Sequence, residues 1–234
     1  MKYINRKLTI EKVTVNNIAR KYGTPTYCYS YTKLRENILR FKKSFKSISP
    51  LICFAIKSNT NVSLIREIKK FGLGADVVSM GELMTAIKAG ISPKKIVFSG
   101  VGKTSEEIKY AISKKILLIN AESESEIKQI EKIAKLKKRK VQVGIRLNPN
   151  TDAKTLSQIS TGKKENKFGV NDKTFFQLVN YCKNSKIIDL KCLSVHIGSQ
   201  IQDHKPYEKM LKSITKILNK INYKFEFIDL GGGM

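Results

Sequence analysis

One feature limits what this chain can fold into more than any other: a regular alternation of two kinds of segment. Short runs rich in β-branched and apolar residues occupy 51–56, 75–79, 95–100, 116–121, 141–147, 190–197 and 225–230. Between them lie segments of helical character at 62–72, 81–90, 104–114, 123–138, 171–184 and 205–220. Near-continuous apolar strands alternating with helices specify an α/β fold with a parallel sheet. The helical segments carry their own boundary signals. Thr104 stands before Glu106 and Glu107, a cap followed by an acidic first turn, and Gly72 and Gly90 stand where helices should stop. Both a doubly wound sheet and a TIM (β/α)8-type barrel fit the alternation.

The polar residues decide between them. Each apolar run ends in a distinctive polar group: Lys57, Ser58 and Asn59; Asp76 and Ser79; Ser99; Asn120 and Glu122; Arg146 and Asn148; His196 and Ser199; and the glycines Gly231 to Gly233. A barrel gathers the C-terminal ends of all its strands on one face, whereas a doubly wound sheet concentrates its chemistry at one switch point. Seven strands of a barrel are therefore expected.

The 234 residues are 41% hydrophobic, enough for a sizeable core. The formal net charge of +26 suggests nucleic acid or an acidic surface at first sight. Its composition argues otherwise. Only 7 of the 45 basic residues are Arg, the residue that reads bases through paired hydrogen bonds. The densest run, 135–140, closes a predicted helix, where cations suit the dipole. No nucleic-acid partner is expected. Cys28, Cys53, Cys182 and Cys192 have no metal-binding or redox spacing, and a reduced, cytoplasmic protein is expected. The first twelve residues lack the apolar stretch of a secretory signal. No apolar run reaches the ~18 residues of a membrane span. His196 and His204 lie in no cluster with metal-ligand spacing, so no metal is expected.

Lys57 in a Lys-rich chain reads as a solvated loop residue, yet its position at a strand end allows another role. A lysine partly desolvated at a barrel mouth supplies a neutral amine, which forms Schiff bases with carbonyl compounds. The glycines 231–233 are either a plain turn or a backbone cradle for an anion, the latter expected after the seventh strand of a barrel. His196 is either a satisfied core histidine or a ring laid flat on an aromatic cofactor. Ser199 offers a hydroxyl to the same anion. An amine, a ring and an anion cradle together describe a site for pyridoxal 5'-phosphate.

With those residues in view, the sequence resembles the diaminopimelate decarboxylases, pyridoxal phosphate enzymes of the alanine-racemase-like barrel family. The blocks that carry the likeness lie at 24–37, 53–83, 96–108, 119–127, 145–170, 193–203 and 227–234. Those around Lys57 and His196 are shared with ornithine and arginine decarboxylases, while the block at 159–169 is more particular to diaminopimelate decarboxylases. The resemblance implies that Lys57 binds the cofactor covalently and that His196 stacks on its ring. It implies phosphate contacts from Ser199, Gly231, Gly232 and Gly233, and pocket positions for Asp76 and Arg146, with Arg146 near the ring's phenolic oxygen. Glu82 is expected as a supporting acid, and Ser58 replaces a usual alanine. The implied reaction is decarboxylation of the small-molecule amino acid meso-diaminopimelate to L-lysine. The alternatives are a decarboxylase of ornithine, arginine or carboxynorspermidine, or a non-catalytic pyridoxal phosphate binder.

The family is homodimeric, and its chains run longer. An eighth strand and a C-terminal β-domain are expected to be missing after Met234, so that residues 31–234 form an incomplete barrel. Residues 1–30 are expected to form a segment that would pack with the missing domain. Seven strands cannot close a barrel, and the polypeptide alone is expected to be inactive.

Overall fold

Thr14 and Ser30 set the two helices of the first unit, Met1–Ile52. Strands β1 (Lys2–Ile4), β2 (Lys7–Ile10) and β3 (Val13–Thr14) pair antiparallel in that order. Helix α1 (Val15–Tyr22) starts at Thr14, whose hydroxyl accepts the Asn17 N–H, and α2 (Tyr31–Ser44) starts at Ser30. The Glu11 carboxylate accepts from the Ser30 hydroxyl at 2.8 Å and the Thr32 N–H at 2.7 Å. A negative charge is thereby placed at the N-terminus of α2, where the helix dipole favours it. The computed structural model describes residues 1–151, 161 and 168–233.

The second unit, Cys53–Met234, carries the alternation. Its elements are β4 (Cys53–Ala55), α3 (Val62–Lys70), β5 (Gly74–Val77), α4 (Met80–Lys88), β6 (Ile96–Phe98), α5 (Ser105–Lys114), β7 (Leu118–Ala121), α6 (Glu124–Leu136), β8 (Val141–Arg146), α7 (Asp172–Lys183), β9 (Ile188–Ser194), α8 (Lys205–Lys220) and β10 (Phe227–Asp229). All seven strands are parallel, and their spatial order follows the chain without reversal, from β4 to β10. A doubly wound sheet reverses its order at a switch point; an unbroken order is that of a barrel.

The sheet is curled. Laid flat, seven strands would hold β4 and β10 about 29 Å apart at the usual strand spacing. Instead Cys53 of β4 and Phe227 of β10 both pack on Val97, Leu118 and Cys192 inside the curve. Among the described residues no pairing joins β4 to β10, so the result is a half-barrel of seven strands lacking the eighth.

The outer face of the sheet meets the helices through a single apolar core. Ile65, Leu83, Ile108, Ile127, Phe175 and Met210 project from the helices onto Phe98, Ile119, Ile145 and Leu193 of the strands. Each such side chain is worth about 1.5–3 kcal/mol when fully buried. Local chemistry sets the boundaries. Thr104 and Glu107 form a reciprocal capping box at the start of α5, and Gly72 and Gly90 follow α3 and α4 with φ of +82° and +89°, a conformation cheap only for glycine.

Candidate active site at the strand ends

Side chains alternate across a strand, so every second residue faces the inside of the curve. This stacks the interior in tiers. The lowest is the apolar cluster of Cys53, Val97, Leu118, Cys192 and Phe227. Two residues beyond Val97, Leu118, Cys192 and Phe227, and at Asp76 of β5, comes a polar tier. Asp76 accepts from the Ser99 hydroxyl at 2.6 Å. The Asn120 amide donates to Asp229 at 2.8 Å and lies 3.3 Å from the Ser194 hydroxyl, which itself donates to Asp229 at 3.0 Å. Gly144 makes room for this tier, because a Cβ there would collide with the Asn120 Oδ1. Above it, at the strand ends, lie Lys57, Glu122, Arg146, His196 and Gly231.

Lys57 sits in a single 3-10 turn, Ile56–Ser58, directly after β4. The fully buried Ile56 anchors that turn, and the Ser58 hydroxyl donates to the Ala55 carbonyl at 2.7 Å. Lys57 itself is exposed. The partial desolvation expected for it is therefore not supplied by the described residues. Its charge still acts on two neighbours. Burial pushes the Asp76 carboxyl up to about 6; the Ser99 hydrogen bond opposes this, Asp229 adds to it, Lys57 opposes it and Glu82 adds to it. Burial likewise pushes His196 down to about 4, helped by the positive charges of Arg146 and Lys57. The imidazole is therefore neutral near pH 7. Its Nδ1 accepts the Gly232 N–H at 3.2 Å, which leaves the ring proton on Nε2.

The glycine turn is shaped by close approach. Gly231 and Gly233 have φ of +69° and +101°. A Cβ on Gly231 would lie 2.6 Å from His196 Nδ1, and one on Gly233 would collide with the Gly198 carbonyl, while Gly232 faces open space. Two of the three N–H groups are held inside the protein: Gly231 donates to Asp229 at 2.9 Å and Gly232 to His196. Ser199 is half-buried in the segment 198–201 that packs on Gly233, tied by the Ile201 N–H to the Gly233 carbonyl at 2.7 Å.

Arg146 ends β8 and is buried. It pairs with Glu122 at 2.9 Å, donates to the His196 carbonyl at 3.3 Å and stacks 4.9 Å from the centre of the Phe168 ring. The Thr161 hydroxyl donates to the same His196 carbonyl at 2.8 Å. Glu82 supports the start of α4 by accepting the Val78 N–H at 2.9 Å. Asp229, Ser194 and Thr161 were not singled out from the sequence. The period-two alternation pointed to the first two, since Asp229 precedes Gly231 by two residues and Ser194 precedes His196 by two. Most of the block at 159–169 lies outside the described residues, namely 159, 160 and 162–167.

These residues fit pyridoxal phosphate. The neutral imidazole suits a planar ring, the open space over Gly232 admits an anionic tail beside the Ser199 segment, and the Lys57 amine is accessible. Residues 31–234 match the family described as pyridoxal-dependent decarboxylase, pyridoxal binding domain. The chain belongs to this family. Among curated family relatives, the diaminopimelate decarboxylase of Helicobacter pylori is 44% identical over 216 residues, covering 91% of this chain and 53% of that protein. The crystal structure of the Helicobacter pylori diaminopimelate decarboxylase complexed with L-lysine matches with a TM-score of 0.85 at 41% identity, over 88% of this chain and 52% of that one. The diaminopimelate decarboxylase of M. jannaschii in co-complex with L-lysine matches with a TM-score of 0.91 at 32% identity, over 100% and 56%. The chain spans about half the length of the curated relatives it matches. Among the described residues no helix is long and apolar enough to cross a membrane, and no group of three or more His, Cys, Asp or Glu could hold a metal ion.

Proposed function

We propose that this chain supplies the cofactor-binding half of a decarboxylase that removes carbon dioxide from the D-configured centre of meso-diaminopimelate and yields L-lysine. One observation carries the reading: diaminopimelate decarboxylases are 36–44% identical to it over nearly its whole length. Pyridoxal phosphate, when bound, supplies the electron sink for the charge left by decarboxylation. The chain's own residues do the rest. Lys57 is the anchoring amine. His196, held neutral, offers a flat, uncharged face to the ring. Ser199 and the turn Gly231–Gly233 take the phosphate. Arg146 faces the ring's phenolic oxygen. Asp76, whose carboxyl burial raises to about 6, lines the same pocket and feels the Lys57 charge.

In the same reading, residues 31–234 form the cofactor barrel and residues 1–30 meet the remaining part of a longer enzyme. That enzyme is a cytoplasmic homodimer. The test is an absorption spectrum of the purified chain with pyridoxal phosphate, run beside Lys57→Ala. A visible band in the wild type that is lost in the variant supports the reading. No band, or the same band in both, contradicts it.

A further inference from the structure

Among the described residues five charged side chains are buried, and four of them form one unbroken chain: Lys103, Glu126, Glu122 and Arg146. Lys103 spends all three of its N–H groups, on Glu126 at 2.7 Å and on the carbonyls of Gly100 at 2.6 Å and Asn120 at 2.7 Å. The second oxygen of Glu126 accepts the Glu122 N–H at 2.8 Å. Glu122 in turn divides its carboxylate: Oε1 takes Arg146 at 2.9 Å and Oε2 takes the Gly169 N–H at 3.0 Å. Gly169 follows Phe168, whose ring stacks on the Arg146 guanidinium. It precedes Val170, which bridges to Leu147 at the end of β8. Gly169 has φ of +72°, and a Cβ there would lie 2.8 Å from the Arg146 carbonyl.

We propose that Glu122 is a positioning residue, which locks Arg146 and the Phe168–Gly169 turn into one unit facing the strand-end site, and that the Lys103–Glu126 pair behind it fixes Glu122 in register. Buried charges are costly unless fully paired. A two-plus, two-minus chain whose members are paired with one another therefore marks a place where geometry is held at the expense of burial. An apolar set of the same size would pack the sheet against α6 equally well, but it would not aim a guanidinium. Arg146 reaches the His196 carbonyl, so the same lock orients the residue that carries the imidazole. The cofactor side of this inference rests on the function proposed above; the geometric side does not.

Glu122→Ala and Glu122→Gln separate the two. In the cofactor-free chain, amide hydrogen exchange at Gly169 speeds up at least tenfold in Glu122→Ala, while Val143 and Ile145 in β8 keep wild-type protection. Glu122→Gln retains an acceptor and holds Gly169 within a few-fold of wild type. Unchanged exchange at Gly169 in Glu122→Ala overturns the inference. So does a uniform fall across β8, which would mark general stabilisation rather than positioning. With pyridoxal phosphate, the dissociation constant rises at least tenfold in Glu122→Ala and severalfold in Glu122→Gln, which leaves the guanidinium without its counter-charge. Wild-type affinity in both variants refutes the link to the cofactor. A wild-type chain that binds no pyridoxal phosphate sinks the proposed function alone, and the exchange comparison still decides the positioning role.

Discussion

The two ends of the half-barrel are built on opposite principles. At the end where the strands begin, the interior is closed by Cys53, Val97, Leu118, Cys192 and Phe227. Burial pushes the thiol of Cys53 up to about 12, and that of Cys192 higher, so they pack as small apolar groups. Outside that end lies a groove of about 340 Å³, floored by Ile116 and Val141 and edged by Lys94, Lys115, Arg139 and Lys140. Its charges are at the surface. At the end where the strands finish, the buried charges from Lys103 to Arg146 are tied into one chain, and the half-buried Asp76 and Asp229 are linked through Ser99 and Asn120. The difference shows that apolar packing closes one end of the interior, while four of the five buried charges among the described residues are gathered at the other.

Breaking one partner of the buried chain is expected to have the largest effect. Lys103→Met strands Glu126 and should cost about 3–5 kcal/mol in urea unfolding. Lys103→Met with Glu126→Met should recover most of that stability while pyridoxal phosphate binding stays weakened. At the opposite end, Leu118→Ala should cost about 2–5 kcal/mol through the cavity it leaves and should leave cofactor affinity near wild type. Equal losses of affinity from both ends would erase the contrast. Gly233→Ala comes next, at about 1–2 kcal/mol for φ of +101° alone, with a further loss of affinity because its Cβ would press on the Gly198 carbonyl.

The polar end also makes a pH prediction in which two groups oppose each other. His196 in the folded chain lies near 4, below its ordinary 6.5. The unfolded chain binds more protons in that window, so stability from this residue is full above about 6.5 and is lost as pH falls toward 4. Asp76 lies near 6, above its ordinary 3.8. Here the folded chain binds more protons, and stability is lost as pH rises from about 4 to 6. The two slopes offset one another. Denaturation midpoints of His196→Gln should fall with rising pH across this range, and those of Asp76→Asn should rise. Parallel profiles for the two variants would show that neither group is held as described. The smallest effect is expected at the surface, where Lys109→Ala, which breaks an exposed pair with Glu106, should change stability by less than about 1 kcal/mol.

Most of the barrel was legible in the sequence because its signals are local. The runs at 141–147 and 116–121 became β8 and β7 with their ends moved by at most two residues, and the segment at 205–220 is α8 as read. Caps and stops at Thr104, Gly72 and Gly90 lie within a few residues of what they control. Lys57 was placed at a strand end and stands there, although in a 3-10 turn and exposed. The buried charge chain was not legible. Lys103 and Glu126 are 23 residues apart, Glu122 and Arg146 are 24 apart, and in a chain with so many lysines and glutamates nothing local distinguishes a pair that folding will bury. The antiparallel sheet of β1, β2 and β3 was also missed, since strands of two to four residues leave almost no periodicity to read.

The strand-end tier sets one of the chain's 38 lysines apart from the other 37. Incubation with pyridoxal phosphate at limiting concentration, borohydride reduction to fix any lysine-bound cofactor, and peptide mapping by mass spectrometry tests it directly. A pyridoxyl group is expected on Lys57 above all other lysines, with its loss from that peptide in His196→Gln or Glu122→Ala before any other peptide changes. Label spread over the surface lysines with no preference for Lys57 would contradict it.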